Sequence, residues 1–161
     1  MAKGRKRKAA PGDVATNRQA SFRYNLLDRF EAGIVLTGTE VKSLREGTVQ
    51  LKDSYAVVRD GEVWLIGVYI APYGPASHEN HDPERERKLL LHRGEIERLI
   101  GATRERGLTI VPTRVYFSDP GSRAKVEIAL AKGKDVHDKR ETIRRRESQR
   151  EIARELRDAQ R

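Results

Sequence analysis

Asp60-Gly61 constrains this chain more than any other pair of residues. An Asp-Gly step between two β-rich runs, residues 55–59 and 62–70, favours a two-residue hairpin with positive φ in the turn. That commits the chain to antiparallel sheet. Within the second run Val63 and Leu65 fall on one face and Trp64 and Ile66 on the other, so this strand is expected to be buried on both sides.

The flanking segments extend the pattern. Phe22, Tyr24 and Leu26 alternate with Arg23 and Asn25, which predicts a strand that resumes over residues 32–37, with Gly33 at a bend or bulge. Thr39 is expected to cap a short helix carrying Val41 and Leu44 and ending at Gly47, without a capping box because Lys42 stands three residues on. Residues 71–85 read as loop and 88–91 as a strand or helix lead-in. Ile96, Leu99, Ile100 and Thr103 predict a helix stopped by Gly107. Two more strands, 108–118 and 123–131, flank the turn Asp119-Pro120-Gly121, and Pro112 is expected at an edge or bulge. In the last strand Val126, Ile128 and Leu130 point one way, and Lys125 and Glu127 the other. The expected class is mainly β with flanking helices. Periodicity leaves a small OB-like β-barrel and an open α+β sheet both standing.

Charge divides the chain into three. Residues 1–20 carry six basic groups and one acid, residues 132–161 eleven and seven, and residues 21–131 sixteen of each, so the tails hold the whole net charge of +9. The expected organisation is a disordered basic arm over 1–16, a folded body over 17–131 and a basic tail over 132–161. Basic ends on an electroneutral body suggest a polyanionic partner; the alternative is that they only confer solubility. Beyond residue 137 the apolar residues are Ile143, Ile152, Ala153, Leu156 and Ala159. Pairs Glu141–Arg145, Glu147–Arg150 and Glu151–Arg154 support a helix by only ~0.2–0.5 kcal/mol each. The tail is therefore expected to be marginally helical alone and ordered on a binding surface. Cysteine is absent, no apolar run approaches a membrane span, and the N-terminus lacks a secretory pattern, so a cytoplasmic chain is expected.

Catalytic signatures are missing. No nucleophile elbow, phosphate-binding loop, dinucleotide fingerprint or H-E-x-x-H occurs. His78, His81 and Asp82 have weak metal-ligand spacing, and Glu84 and Glu86 are interleaved with Arg85, Arg87 and Lys88, so neither metal nor cofactor nor catalysis is expected. The stretch Ala131-Lys132-Gly133-Lys134-Asp135-Val136-His137-Asp138-Lys139-Arg140 differs. A Gly between two Lys lets backbone approach a phosphate while both ammonium groups neutralise it, and the imidazole of His137 can stack on an unpaired base. The bland alternative, a solvated linker and helix start, weighs about equally.

This stretch resembles the junction motif A-x-G-K-K-x-x-D-K-R of the SsrA-binding (small protein B) family. Asn17-Arg18, Phe30-Glu31-Ala32-Gly33-Ile34, Gly38-Thr39-Glu40-Val41-Lys42-Ser43-Leu44-Arg45, Asp53-Ser54-Tyr55 and Arg87-Lys88-Leu89-Leu90-Leu91 resemble the same family in the same order, from about Asn17 to the C-terminus. The resemblance implies an OB-like barrel that binds the tRNA-like domain of transfer-messenger RNA in trans-translation. Asn17, Arg18, Phe22, Tyr24, Glu31, Lys88, Leu90, Lys125, Lys132, Gly133 and Lys134 are implied at the RNA surface. The tail is implied to become helical in the empty mRNA channel of a stalled ribosome, where His137 stacks on a base of the 16S rRNA decoding centre. Asp138, Lys139 and Arg140 are implied to serve tagging rather than RNA affinity, and Ile143 lies in the same tail. Elongation factor Tu and alanyl-tRNA synthetase are implied as indirect partners of a monomer. Asp135 replaces the family's second Lys, and Phe22 replaces a common His. A structural ribosomal protein fits the composition equally well; a nuclease using His81, Glu84 and Glu86 fits it poorly.

Overall fold

The last strand shows how the sequence builds its sheet. In β9 (Ala124–Gly133), Val126, Ile128 and Leu130 are buried on the inner side while Lys125 and Glu127 are only half-buried on the outer one. Burial of each large aliphatic side chain contributes about 1.5–3 kcal/mol, and the same alternation recurs in β5 and β7. The computed structural model describes residues 12–76, 80–119, 121–134 and 136–160, with backbone alone for 136–138. The expected arm up to residue 11, His78, Pro120, Asp135 and the side chains of His137 and Asp138 lie outside the described residues.

The other elements are β1 (Asp13–Thr16), α1 (Arg18–Arg23), β2 (Tyr24–Ile34), α2 (Gly38–Arg45), β3 (Val49–Gln50), β4 (Tyr55–Arg59), β5 (Glu62–Ile66), β6 (Tyr69–Ile70), β7 (Arg87–Leu90), α3 (Arg93–Glu105), β8 (Thr109–Phe117) and α4 (Val136–Ala159). Six strands pair in a closed ring, β8-β4-β5-β7-β2-β9 and back to β8, all antiparallel. The β4–β8 closure rests on one pair, Ala56 opposite Ile110. β1 adds to β8 from outside, and β3 pairs with β6 separately. The ring is compatible with the OB-like barrel expected. Its core holds Phe30, Val63, Leu65, Leu89, Ile110, Val126 and Ile128, closed by Leu44 of α2 and Leu99 of α3.

Asp60 and Gly61 adopt φ of 52° and 74°, the primed turn expected. Several other expectations are corrected. Residues 13–16 are a strand, so the body starts before Asn17. Phe22 belongs to helix α1, and β2 begins at Tyr24. The bulge in β2 falls between Leu26 and Arg29 rather than at Gly33, while β8 has the expected irregularity beside Pro112. Trp64 and Ile66 are only half-buried, so β5 has one buried face. Helix α2 is capped by Thr37, not Thr39, and it does have a capping box: Glu40 Oε1 accepts from the Thr37 N–H at 3.0 Å and Thr37 Oγ1 from the Glu40 N–H at 3.4 Å.

Glu40 then does something its helix position does not suggest. It is fully buried and pairs with Arg87, itself fully buried, and with Arg85 at 2.6 Å. Arg87 also donates to the carbonyls of Val68 at 2.8 Å and Pro83 at 3.1 Å. Burial pushes the Glu40 carboxyl up, but the Thr37 N–H and the two guanidinium groups outweigh it and hold it below its ordinary value. This cluster ties α2, β7 and the long loop before β7 together.

Candidate nucleic-acid interface

The expected site residues separate into two groups along the β2–β9 ribbon. Tyr24 lies opposite Gly133 and Asn25 opposite Lys132 at one end. At the other, Gly33 is the register partner of both Lys125 on β9 and Leu90 on β7. Tyr24 and Glu31 are thus roughly 20 Å apart along β2.

At the first end Asn17 is a structural clip. Its backbone N–H donates to Thr113 O at 2.7 Å, its amide to Pro112 O at 3.0 Å and Leu51 O at 3.4 Å, and its Oδ1 accepts from the Ala20 N–H at 3.2 Å. It caps α1 and satisfies the edge of β8 between the stretches paired by β1 and β4. Asn17→Ala is expected to cost about 1–3 kcal/mol, because it orphans the Ala20 N–H and the Leu51 and Pro112 carbonyls; chemical denaturation would check it. Helix α1 packs Ala20 on Val111 and Ala131, whose small side chain admits it.

Lys132 is exposed and makes no ion pair among the described residues. Gly133 is exposed, and a Cβ there would meet nothing within 4 Å, so no packing within the chain requires a glycine. Lys134 is different. Its N–H donates to Arg23 O at 3.2 Å, and its half-buried ammonium to Ser21 O at 3.0 Å and Thr142 Oγ1 at 3.1 Å. It joins the body to α4. Phe22 completes that joint, its ring centroid 5.4 Å from the Arg146 guanidinium. Arg18 opens α1 on its exposed side.

Helix α4 is continuous from Val136 to Ala159, about 36 Å long at 1.5 Å per residue. Lys139, Arg140 and Ile143 lie in its first two turns. Ile143, Ile152 and Leu156 are 42%, 55% and 60% exposed, so no apolar face is buried, as expected. Of the expected ion pairs Glu141–Arg145 forms at 3.1 Å, and Glu147–Arg150 and Glu151–Arg154 do not.

At the second end Leu90 stands half out of the surface over Gly33, where a Cβ would come within 3.3 Å of its own. Lys88, on the same outer face, pairs with Glu62 at 2.8 Å. Glu31 accepts from Lys125 Nζ at 2.6 Å and from the Tyr116 hydroxyl. These two bonds, that of Lys125 first, hold its carboxyl below the ordinary range. Tyr116 is pushed up to about 12 by burial and then by the Glu31 carboxylate, so it remains a donor. Arg114 lies 4.1 Å from the Tyr116 ring centroid and bonds Asp13 at 2.9 Å and Glu127 at 3.1 Å. Sequence reading missed Tyr116 and Arg114; the signal was their place on a strand directly paired with the one carrying Lys125.

His81 is fully engaged: Nδ1 lies 2.9 Å from Thr39 Oγ1 and Nε2 3.0 Å from Ile70 O. Because the carbonyl only accepts, Nε2 carries a proton, and in the neutral ring Nδ1 accepts from the hydroxyl. The imidazole is a loop fastener. Among the described residues no cluster of three or more metal-ligating side chains exists, and no helix is long and apolar enough to cross a membrane.

The profile of the SmpB protein family matches residues 14–158. The chain belongs to the SmpB family. Among relatives, the SsrA-binding protein of Sulfurihydrogenibium sp. is 58% identical over 139 residues, 86% of this chain and 90% of that protein. The SsrA-binding protein of Mycolicibacterium smegmatis is 57% identical over 143 residues, 89% of this chain and 88% of that one. A solved chain described under "tmRNA-SmpB: a journey to the center of the bacterial ribosome" superposes with a TM-score of 0.66 at 48% identity, covering 84% of this chain and 96% of that chain. SmpB membership thus spans both groups of site residues and nearly all of α4.

Proposed function

We infer that this chain binds transfer-messenger RNA (SsrA RNA) and delivers it to stalled bacterial ribosomes for trans-translation, acting in the cytoplasm as a binding adaptor without chemistry of its own. The observation that carries the reading is similarity above 50% identity to SsrA-binding proteins over most of the chain. The physics supports it. A body without net charge suits selective docking on folded RNA through local patches, and a basic helical rod with no buried apolar face suits a groove walled by RNA.

The residues divide accordingly. Glu31, Leu90 and Lys125, with Lys88 beside them, form the RNA-gripping face. Lys132 and Gly133 add phosphate contacts near Tyr24 and Arg18. Asn17 and Phe22 shape that end. Lys139, Arg140 and Ile143 follow His137 and Asp138 into the mRNA channel. Lys132→Ala is expected to flatten the log–log salt dependence of RNA binding by roughly 0.7–0.9 for the lost phosphate contact. Lys134→Ala should change the slope less, because that ammonium already serves Ser21 and Thr142. Filter binding across a salt series distinguishes the two.

Capture of the tagged chain from lysate with stalled ribosomes, followed by RNA sequencing, tests the reading. Enrichment of one tRNA-like transcript is expected. Stoichiometric presence on all ribosomes, with no such transcript, would make it a structural ribosomal protein.

A further inference from the structure

We propose that Tyr116 is a positioning residue for RNA recognition, holding the Glu31 carboxylate in the orientation that accepts hydrogen bonds from the bound RNA. The proposal rests on the reading of Glu31 as an RNA-facing residue. Phosphates repel a carboxylate, so one at an RNA interface contributes only by accepting from N–H or O–H groups of bases or ribose, with its charge offset locally. Glu31 meets both conditions. Lys125 offsets its charge and bonds one oxygen, Tyr116 bonds the other, and the side chain stays 54% exposed. Each oxygen, with one bond made, keeps acceptor capacity on a side chain that is more than half exposed. Without these bonds a long, exposed glutamate would have to surrender its rotamer freedom on binding.

Tyr116 is itself fixed. It lies opposite Lys125 in the β8–β9 register and is buried to 7% exposure. Arg114 lies against its ring, and Asp13 and Glu127 hold Arg114. A run of fixed groups therefore leads from the β1 edge to the Glu31 carboxylate. Tyr116 has almost no surface to offer an RNA, so its effect passes through Glu31.

The test is a double-mutant cycle on the full chain, measuring affinity for a transcript of the tRNA-like domain at fixed salt. Tyr116→Phe keeps the ring and removes the donor. Tyr116→Phe and Glu31→Gln are each expected to weaken binding roughly 5–10-fold, in keeping with loss of the net contribution of one hydrogen bond. Together they should be within about twofold of Glu31→Gln alone, since the two act as one unit. Carbon-13 NMR of the Glu31 carboxyl supplies a readout that a structural role would not move: its titration midpoint should rise in Tyr116→Phe. The other charged groups facing it, Lys125 and Glu127 from β9, Arg114 from β8 and Arg29 on its own strand, are unchanged by that variant. If Tyr116→Phe does not fold, Arg114→Leu, which frees the ring and leaves the hydroxyl, takes its place in the cycle. Wild-type affinity in the single variant, or losses that multiply in the double, overturns the proposal. Unchanged binding by Glu31→Gln overturns it through its premise. A wild-type chain that does not prefer the tRNA-like domain indicts the proposed function instead.

Discussion

Glu40→Ala is expected to lower the stability of this chain by about 3–5 kcal/mol, because it leaves the Arg87 charge buried without its partner. Arg87 has no exposed surface and retains only neutral carbonyl acceptors, at Val68, Asp82 and Pro83, once the carboxylate is gone. The change also removes half of the α2 capping box and the bond to Arg85. For a chain of this size the melting temperature should fall by about 10 °C or more. Replacing both partners, Glu40→Met with Arg87→Met, should cost much less, since the desolvation of two charges disappears with them. The same cluster sets an acid limit. The folded Glu40 carboxyl lies below its unfolded value, so its contribution is full above the ordinary carboxylate range and is lost as pH falls through the folded value. Circular-dichroism melts of the two variants and of wild type across pH 3–7 check all of this. A loss below about 1 kcal/mol in Glu40→Ala would contradict the account of the cluster.

His137→Ala is expected to reduce peptide tagging by about ten- to a hundredfold while affinity for transfer-messenger RNA stays within about twofold. The size follows from base stacking worth ~1–3 kcal/mol per base. Separation of the two activities follows from distance. The Glu31–Lys125 face sits at the far end of β2 from the junction, where Lys134 fastens the chain to Arg23 and Ser21 before α4 begins. Substitutions so far apart with no shared partner act independently. Paired measurements on one preparation, filter binding and a reconstituted tagging reaction on ribosomes stalled without a codon, give both numbers. Parallel loss of both activities would mean that the tail and the body do not divide the work.

Local chemistry was the part of this structure most open to reading. Asp60-Gly61 announced its hairpin because the turn's needs are met by its own two residues, and the alternation of Val126, Ile128 and Leu130 announced a core strand. Phe22 was misassigned to a strand because α1 depends on Asn17, whose partners Leu51 and Pro112 lie 34 and 95 residues away. Thr37 and Glu40 did spell a capping box, and the choice of Thr39 as the cap passed over it. The burial of Glu40 was hidden, since a glutamate in a first turn reads as a solvated helix end until Arg87 of β7 and Arg85 of the loop before it are brought to it. Motif resemblance supplied the residues proposed to face RNA, but not the support beneath them. Tyr116 and Arg114 became visible once β8 was set against β9, because a positioning contact is a property of register rather than of spacing.

The central claim is that the β ring of this chain, in a body without net charge, grips one folded RNA by local patches rather than RNA at large by its net charge. Competition binding of the full chain to a labelled transcript of the tRNA-like domain, with bulk tRNA as competitor at near-physiological salt, tests it most directly. Preference for the transcript by more than about tenfold, ~1.4 kcal/mol, is the predicted result. Equal affinity for the two, falling together as salt rises, would contradict it.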